Sequence, residues 1–434
     1  MVLPVRYEKF QPSWLYLVND DMNIIKLNRK VFILVLFVCV LITSLWIKFR
    51  HLAPAVVRGN FVPSSSRERV DSLTRKRENA NAHGRLNTQQ NTEETVAAVL
   101  VIACNRPEVE RCLDSLLRYR PSEKKFPVIV SQDCGHEETA RVITNYRDKL
   151  MYLKHPDVSD IAVPEAMGHL IGYYKLSRHF KWALSQVFDV LQQDTVIIVE
   201  DDLEVAPDFF EYFEATKGLL EKDPTLWCVS AWNDNGKEGK VRGSDLLYRS
   251  DFFPGLGWML KKSVWDELAP KWPAAYWDDW MRHPAQRRER ACIRPEIPRA
   301  VTFGRIGVSR GQFFDEHLKY IKLNDQFYPF TQRNLTFLLK EEYDPRFLNT
   351  VYSSPLVSFD YFHSGKVIPA PSVRVQYETD DVFKSVANQL GIMSDIKAGV
   401  PRMAYKGVVS FIYRGLRVYL APPRHWRGYE FHEG

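Results

Sequence analysis

The chain has 434 residues, 45% of them hydrophobic and 26% charged. This globular composition excludes a chain disordered throughout, a collagen and a many-span transporter. Its formal net charge is +6 at pH 7, but the charge is unevenly distributed. Residues 1–96 contain 14 lysines and arginines against 8 acids, whereas residues 97–434 contain 45 of each. Because the body has no net charge, it lacks an electrostatic footprint for nucleic acid, and we expect no nucleic-acid partner.

The first element along the chain is an uncharged apolar run at residues 31–47, which as a helix would be about 25 Å long. This length is at the short end for a membrane span and suits thinner membranes of the early secretory pathway. A cleaved signal peptide and a buried helix are the competing interpretations, but the run exceeds the usual signal core of about 7–15 residues. We therefore predict a signal anchor in contact with membrane lipid, preceded by a cytosolic tail at residues 1–30. Met1 and Met22 are both compatible with the start of that tail.

Residues 48–95 differ from the body in composition. They are rich in Ser, Arg, Asn, Thr and Gln and keep no apolar period, so they cannot bury enough apolar area to offset their ordering entropy. We predict a flexible luminal stem. The basic cluster at residues 75–77 has two other interpretations, a protease site and a nuclear signal. A tail, an anchor, a stem and a neutral body together are typical of a single-pass type II membrane protein.

The cysteines and one sequon agree with a luminal body. Cys39 lies in the anchor and five cysteines lie in the body, an odd number that leaves at least one free thiol in an oxidising compartment. The spacing alone does not decide which cysteines pair. Asn334 begins an Asn-Leu-Thr sequon; if it is glycosylated, it must lie at the surface.

From residue 96 the sequence alternates between apolar runs and amphipathic patterns. The run at 96–103 is apolar throughout, as expected for a strand covered on both faces. The helix after it carries its apolar residues on one side. The alternation predicts a parallel sheet with helices on both faces. Strands are predicted at residues 96–103, 126–131, 151–153 and 195–199, and helices from residue 107, at 137–146 and at 165–190.

Polar residues follow three of these strands, at the edge where such sheets bind ligands. Arg106 follows the first strand, Asp133 the second, and the run Glu200-Asp201-Asp202 the fourth. No phosphate-loop lysine signature and no GxGxxG follows the first strand, so a P-loop NTPase and a dinucleotide-binding dehydrogenase are excluded.

The acid run has two interpretations. Such runs are often solvated turns, but this one directly follows an apolar strand. Unpaired carboxylates beside a low-dielectric core are costly, and a divalent cation is the usual remedy. Oxygen ligands suit Mg²⁺ or Mn²⁺. The pattern therefore favours a site for a metal-bound diphosphate and its nucleoside.

Two further motifs are ambiguous by themselves. Trp277-Asp278-Asp279-Trp280 places two acids between large aromatics, which suits either sugar binding or a helix that packs its tryptophans with both acids in solvent. Residues 303–313 contain three glycines and two arginines. Glycines allow turns whose N–H groups bind phosphate, and they also allow motion; the alternative is a flexible surface loop.

Long strings in this order are characteristic of one family. EDDLEVAPDFF at 200–210, WCVSAWNDNG at 227–236, FFPGLGW at 252–258 and WDDWMR at 277–282, with residues 304–314, closely resemble the N-acetylglucosaminyltransferase I family over about residues 97–434. The resemblance implies an α/β fold of the GT-A type, with a nucleotide-sugar-binding sheet at 96–345 and a smaller C-terminal α+β domain at 346–434. It implies an inverting, Mn²⁺-dependent β-1,2-N-acetylglucosaminyltransferase in the Golgi membrane. The donor would be UDP-GlcNAc and the acceptor the α1,3-arm mannose of a five-mannose N-glycan on glycoproteins.

The resemblance also implies roles for individual residues. Asp278 would be the catalytic base and Asp202 the direct metal ligand. Residues 305–317 would order over the bound donor. The implied substrate-binding residues are Arg106, Asp133, His179, Glu200, Asp201, Trp277 and Ser309. The implied disulfides are Cys104–Cys134 and Cys228–Cys292, which leaves Cys112 as a free thiol packed on an apolar helix face.

Two rival functions remain at this point. One is GlcNAc transfer to O-linked mannose, although the 51–95 segment is too short and too polar for the extra stem domain of that enzyme. The other is a carbohydrate-binding membrane protein without catalysis, for which loss of Asp278 or Asp202 would be the sign. Both residues are present.

Overall fold

The computed structural model of the protein describes residues 94–366 and 369–430. The predicted tail and anchor, and the stem as far as residue 93, lie outside these residues. None of the helices in the described part of the chain is long and apolar enough to cross a membrane. Residues 92–433 cluster as one compact unit, and the predicted boundary between residues 345 and 346 stays a prediction.

The described residues contain sixteen strands. Numbered β1 to β16 in chain order, they are Ala98–Ala103, Val128–Gln132, Met151–Lys154, Thr195–Glu200, Leu203–Val205, Leu226–Ser230, Leu247–Ser250, Trp258–Lys261, Ala291–Pro295, Ala300–Thr302, Leu356–Val357, Ser372–Gln376, Ile396–Lys397, Val400–Pro401, Val409–Tyr413 and Leu416–Ala421.

The α-helices of the described residues connect and cover these strands. Numbered α1 to α10, they are Val109–Tyr119, Glu137–Thr144, Ile171–Ser185, Phe209–Lys222, Lys262–Leu268, Trp277–Arg282, Pro284–Arg287, Lys340–Ser353, Phe359–His363 and Asp380–Leu390. The helix predicted at 165–190 is one helical stretch of three kinds, with a 3-10 helix before α3 and one π-helical turn, Gln186–Val190, after it.

An eight-stranded sheet in the order β3-β2-β1-β4-β8-β6-β9-β7 forms the centre of the protein. Strands β1 to β4 run parallel, as predicted. Beyond β4 the prediction of a parallel sheet is wrong, because β8 is antiparallel to both β4 and β6, and β7 is antiparallel to β9. The fold is therefore a mixed α/β fold. The antiparallel strand β8 separates the four parallel strands β3, β2, β1 and β4 from the parallel pair β6 and β9. The ligand-binding edge predicted above belongs to the group of four.

The burial of β1 explains its continuous apolar sequence. Every residue of the strand is buried, and successive side chains enter opposite cores. Val99 and Val101 pack on the side of α1, α2 and α4, whereas Leu100 and Ile102 pack on the side of α3 and α5. A strand covered by helices on both faces has apolar residues on both faces, because neither face contacts water. The prediction of helices on both sides of the sheet is confirmed.

The C-terminal region has its own four-stranded sheet, in the order β11-β12-β16-β15, and its own hydrophobic core. Strands β15 and β16 form an antiparallel hairpin. Helix α10 packs on this sheet through residues such as Phe383 and Ala387. Thr379 caps the start of α10 and Gly391 ends it in the left-handed conformation.

Two disulfides crosslink the central sheet, and both implied pairings are confirmed. Cys104–Cys134 joins the chain just after β1 to the chain just after β2, and Cys228–Cys292 joins β6 to β9. Cys112 is free and fully buried on α1, which raises the pKa of its thiol and agrees with a packed rather than reactive cysteine. The sequon residue Asn334 is exposed.

Candidate active site

A cavity of about 910 Å³ opens at the carboxyl ends of β1, β2 and β4. The structure brings all nine residues singled out from the sequence to its wall: Arg106, Asp133, His179, Glu200, Asp201, Asp202, Trp277, Asp278 and Ser309. They come from six separated parts of the chain, which agrees with the location expected for a ligand site in a sheet of this kind.

The acid run forms the floor of the cavity. Glu200 is the last residue of β4, and Asp201 and Asp202 form the turn that follows. Asp201 accepts hydrogen bonds from the Cys104 backbone N–H at 3.2 Å and from the Arg106 Nε at 3.1 Å. Burial and then the charge of Asp202 raise the pKa of Asp201 to about 6, although Arg106 opposes the shift. Burial and the neighbouring acids also raise the pKa of Glu200. The site thus holds more negative charge than its own cation neutralises.

Asp202 depends on the absence of a side chain at residue 304. A Cβ atom at Gly304 would lie 1.9 Å from the Asp202 Oδ2, far inside van der Waals contact, so only glycine leaves room for this carboxylate. Arg106 Nη2 approaches the same oxygen at 3.8 Å. Burial is the main cause of the raised pKa of Asp202, which Arg106 partly counters. Because the charge of this carboxylate is only partly compensated, binding of an added cation would stabilise its ionised form.

The donor set suits a hard divalent cation that a substrate helps to bind. Within residues 94–366 and 369–430, no group of three or more His, Cys, Asp or Glu side chains is arranged to hold a metal ion alone. One or two carboxylates plus phosphate oxygens are, however, the usual set for Mg²⁺-like ions in nucleotide sites. The uncompensated carboxylates around Asp202 therefore fit a metal that arrives with a diphosphate.

Arg106 connects the floor of the cavity to the glycine-containing segment at residues 305–317. Besides Asp201, its guanidinium donates from Nη2 to the Ile306 carbonyl at 2.7 Å. Val308 packs over Gly172 at the start of α3, where a Cβ atom would lie 3.2 Å from Val308 Cγ1. Ser309 lies in the same segment and lines the cavity. The segment forms part of the cavity wall, and Ile306 is 82% exposed.

Asp133 and its disulfide shape the side of the cavity next to β2. The carboxylate is buried and its Oδ1 accepts the Cys134 backbone N–H at 2.7 Å. The Asp133 N–H donates to the Ala103 carbonyl at 3.0 Å. Together with the Cys104–Cys134 bridge, these bonds fix the ends of β1 and β2 relative to each other. The backbone positions of Asp133 and Arg106 at the cavity are thereby fixed as well.

His179 lies under this wall on α3. Its Nε2 is 2.8 Å from the Ser131 Oγ, and its ring meets the His155 ring edge-on at 5.7 Å. Burial, followed by His155 and Arg178, lowers the pKa of His179 to about 3. The neutral imidazole therefore persists in the folded protein well below the pH at which a free histidine takes a proton.

This shift predicts a loss of stability in acid. Between pH 6.5 and about 3 the unfolded chain binds a proton at His179 and the folded chain does not, so the free energy of unfolding falls as pH falls; above pH 6.5 this group has no effect. Replacing His179 with glutamine should reduce the loss between pH 6.5 and 4.5 by about 2 to 3 kcal/mol. Urea unfolding of both proteins across this range measures it. Parallel pH curves for wild type and variant would show that His179 is not the group responsible.

The tryptophans around the second acid pair belong to the core. Trp277 is buried and stacks on Phe180 at 4.3 Å, with Trp258 and Trp272 also stacked on it. Trp280 packs against the same cluster. Packed tryptophans are what the structural interpretation of this motif predicted, but the acids are not simply in solvent, since Asp278 and Asp279 both line the cavity. The packing of the tryptophans is thus confirmed, whereas sugar binding by this motif stays a prediction.

Arg282 holds both of these acids. Its Nη1 donates to the Asp278 Oδ2 at 2.8 Å and to the Asp279 Oδ1 at 2.7 Å. The guanidinium is itself fixed, because its Nε donates to the Phe253 carbonyl and its plane lies 4.8 Å from the Phe252 ring. Burial opposes ionisation of Asp279, but Arg282 and Lys397 outweigh it and lower its pKa. One buried cation therefore orients two carboxylates at the cavity wall.

The C-terminal region adds residues to the cavity wall that were not predicted from the sequence. Met393, Lys397 and Arg402 line the cavity, as does Asp234. Arg402 bridges Asp234 at 3.2 Å and Asp395 at 2.9 Å. Only the Asn-Asp-Asn string at 233–235 gave a sequence signal, as part of the family pattern. The other residues lie in short strands and turns without an apolar period.

The sequence of this chain matches known proteins over most of its length. Residues 61–433 match the model of the GNT-I family. The alpha-1,3-mannosyl-glycoprotein 2-beta-N-acetylglucosaminyltransferase of Arabidopsis thaliana is 45% identical over 332 residues, which are 76% of this chain and 74% of the relative.

Solved structures match more weakly. S. aureus TarS 1–349 in complex with UDP-GlcNAc is 11% identical with a TM-score of 0.33, over 68% of this chain and 66% of that one. The mannosyltransferase PcManGT from Pyrobaculum calidifontis in complex with GDP-Man and Mn²⁺ is 16% identical with a TM-score of 0.33, over 48% of this chain and 58% of that one.

The family match at residues 61–433 spans the central sheet, the C-terminal region and all the cavity residues named above. The chain is therefore a member of the GNT-I family.

Proposed function

We propose that the chain is an inverting β-1,2-N-acetylglucosaminyltransferase of the GT-A type. It transfers GlcNAc from UDP-GlcNAc to the 2-hydroxyl of the α1,3-arm mannose of a five-mannose N-glycan on a glycoprotein. Family membership and the name of the Arabidopsis relative support the substrates. The observation that carries the proposal is structural. One cavity holds an acid run whose negative charge Arg106 only partly compensates, which suits a metal-bound donor, and on its wall a separate oriented carboxylate, Asp278.

The residues on the β1, β2 and β4 side suit the donor. Arg106 supplies a cation next to Asp201 and Asp202, and Asp133 and Asp201 offer acceptors for nucleoside hydroxyl and imide groups. Burial and its acidic neighbours raise the pKa of Glu200, and its carboxyl group lines the cavity, where it can bind a sugar hydroxyl. Ser309 and the segment around it lie where they can close over the diphosphate and exclude water.

Asp202 would hold a Mn²⁺ ion together with the diphosphate oxygens of the donor. When bound, this ion would act as a Lewis acid for the charge that develops on the leaving diphosphate. The chain's own contribution is to keep Asp202 partly buried beside Arg106 and to leave the space next to Gly304 open for its carboxylate.

Asp278 is the group that would move the proton. Inverting transfer needs one base and no covalent carboxylate intermediate. As the mannose 2-oxygen attacks the anomeric carbon, the hydroxyl proton passes to Asp278 and the bond to the UDP oxygen breaks. Arg282 holds the Asp278 Oδ2, which leaves the Oδ1 to receive the proton.

Arg282 is therefore a positioning residue, and its removal should affect the rate more than binding. We expect Arg282→Ala to lower kcat by about 10- to 100-fold, because a misplaced base costs this much, with the UDP-GlcNAc dissociation constant within twofold of wild type. Arg282→Lys should recover part of the rate. Steady-state kinetics together with calorimetric titration of the donor measure both quantities. A variant with wild-type kcat would contradict the role, and loss of donor affinity in parallel with kcat would show a structural role instead.

The acceptor assay tests the proposed function itself. The protein is incubated with UDP-GlcNAc and Mn²⁺ and with either a five-mannose N-glycan or an O-mannosyl peptide. We expect transfer to the N-glycan. Transfer to the peptide alone would mean that the enzyme modifies O-linked mannose, and no transfer to either acceptor by folded protein would favour a carbohydrate-binding protein without catalysis.

The same proposal places the protein in the Golgi membrane as a single-pass type II protein, anchored through residues 31–47 with its body in the lumen. The apolar run supports the anchor. The two disulfides support an oxidising compartment for the body. Protease protection of the body in sealed microsomes, and its loss when detergent is added, is the expected result.

A further inference from the structure

The C-terminal region contributes to the wall of the cavity next to Asp278. The donor-side residues come from segments before residue 203 and from residues 304–313. Lys397 comes from the C-terminal region, and its Nζ donates to the Asp279 Oδ2 at 3.2 Å. This ion pair, Asp279 with Lys397, places a charged donor and a charged acceptor directly beside the base.

The ion pair is held on rigid supports. Lys397 ends the two-residue strand β13, which pairs with β14 through a turn at Ala398 and Gly399. Both turn residues have positive φ, 47° and 77°, the conformation of the tight turns that match the twist of a hairpin. Arg402 just beyond β14 donates its backbone N–H to the Asp395 carbonyl at 3.1 Å, which closes the hairpin. On the other side, Arg282 fixes Asp279.

The ion pair contributes little to the stability of the folded protein. The side chains of Lys397 and Asp279 are 36% and 40% exposed, and solvent-exposed pairs of this kind contribute little to folding. Both groups keep unused hydrogen-bonding capacity, because an ammonium has three donors and a carboxylate oxygen has two acceptor positions. A neutral sugar is recognised by such mixed donor and acceptor groups, since each hydroxyl both donates and accepts.

The distance to the base fits one sugar ring. Asp278 Oδ2 and Asp279 Oδ1 are bound to the same Arg282 nitrogen, so they lie within about 5.5 Å of each other. Adjacent hydroxyl oxygens of a pyranose are closer together than this. The two carboxylate groups therefore lie side by side, so that a mannose whose 2-hydroxyl meets the Asp278 Oδ1 can present a neighbouring hydroxyl to Asp279 and Lys397.

We propose that the Asp279–Lys397 pair is the acceptor-binding edge of the site and contacts the hydroxyls next to the one that is glycosylated. The inference rests on the proposed function and adds to it the residues that read the acceptor mannose. The C-terminal region thereby acts in substrate selection, through Lys397 on the hairpin of β13 and β14.

The test compares Lys397→Met, which keeps the length and the apolar stem of the side chain, with the matched control Lys384→Met on α10, outside the cavity lining. The full-length protein is assayed with UDP-GlcNAc, Mn²⁺ and the five-mannose glycan. We expect the acceptor KM of Lys397→Met to rise about tenfold or more, in line with the loss of a charged hydrogen bond. The dissociation constant for UDP-GlcNAc, measured by calorimetry, should stay within twofold, and Lys397→Arg should recover part of the acceptor affinity.

The outcomes separate this inference from the proposed function. Wild-type transfer together with an acceptor KM of Lys397→Met within twofold of wild type would overturn the inference alone. A parallel loss of donor affinity would also overturn it, because Lys397 would then support the fold or the donor side. Absence of transfer by the wild type would overturn the proposed function and this inference with it.

Discussion

The Asp278→Asn variant is expected to lose GlcNAc transfer almost completely and to bind UDP-GlcNAc as wild type does. Asparagine can still accept the hydrogen bond from the Arg282 Nη1, but it cannot take the proton from the acceptor hydroxyl. Loss of a general base costs about 10²- to 10⁴-fold in rate. The measurement is the single-turnover rate on the five-mannose glycan, combined with calorimetric titration of the donor in Mn²⁺.

The matched control for this variant is Asp381→Asn on α10, whose side chain is almost fully exposed. It should transfer at the wild-type rate. Wild-type turnover by Asp278→Asn would rule out Asp278 as the base. Loss of donor binding in that variant would mean that the carboxylate serves the donor and not the acceptor.

The Asp202→Ala variant should lose the part of donor affinity that depends on metal. In wild type we expect UDP-GlcNAc to bind at least tenfold more tightly with Mn²⁺ than with a chelator, because the acid run repels a diphosphate that carries no cation. Without the Asp202 carboxylate the two titrations should coincide. Removal of this partly buried acid also relieves its repulsion of Asp201 and Glu200, so the folded protein should not be less stable.

The control for Asp202→Ala is Asp381→Ala, which should keep the metal dependence of the wild type. An Asp202→Ala titration that still improves with Mn²⁺ as the wild type does would contradict the assignment of this residue as a metal ligand. Thermal unfolding of the two variants without donor separates a binding defect from a folding defect.

The predictable part of the fold is the part with strong local patterns. The fully buried β1 follows from an apolar run with no polar interruption, and the acids at the end of β4 follow from its abrupt termination. These two signals were enough to expect a ligand site at Asp201 and Asp202 before any resemblance was considered.

The second half of the sheet could not be predicted in the same way. Strand direction beyond β4 depends on long-range pairing, for example of β8 with both β4 and β6, and no local sequence pattern records which neighbour a strand will have. Strands of three to five residues also carry little periodic signal.

The candidate site was predicted unevenly for a related reason. Asp278 was identified through the resemblance, whereas Arg282, four residues later on the same short helix, was not singled out, because an arginine near two acids is also what a solvated helix contains. Lys397 was missed entirely, because its position in the cavity arises from the folding of the C-terminal hairpin onto α6. Because Lys397 is far from Asp279 in sequence, no local sequence pattern indicates their contact.

The most direct test of the account is the structure of the product. After incubation of the wild-type protein with UDP-GlcNAc, Mn²⁺ and a five-mannose N-glycan, the glycan is isolated and its new linkage determined by nuclear magnetic resonance. We expect one added GlcNAc, β-linked to the 2-hydroxyl of the α1,3-arm mannose, together with one equivalent of UDP. An α-linked GlcNAc, or one attached to another hydroxyl or arm, would contradict the inverting mechanism with Asp278 as its base or the acceptor assigned to this cavity.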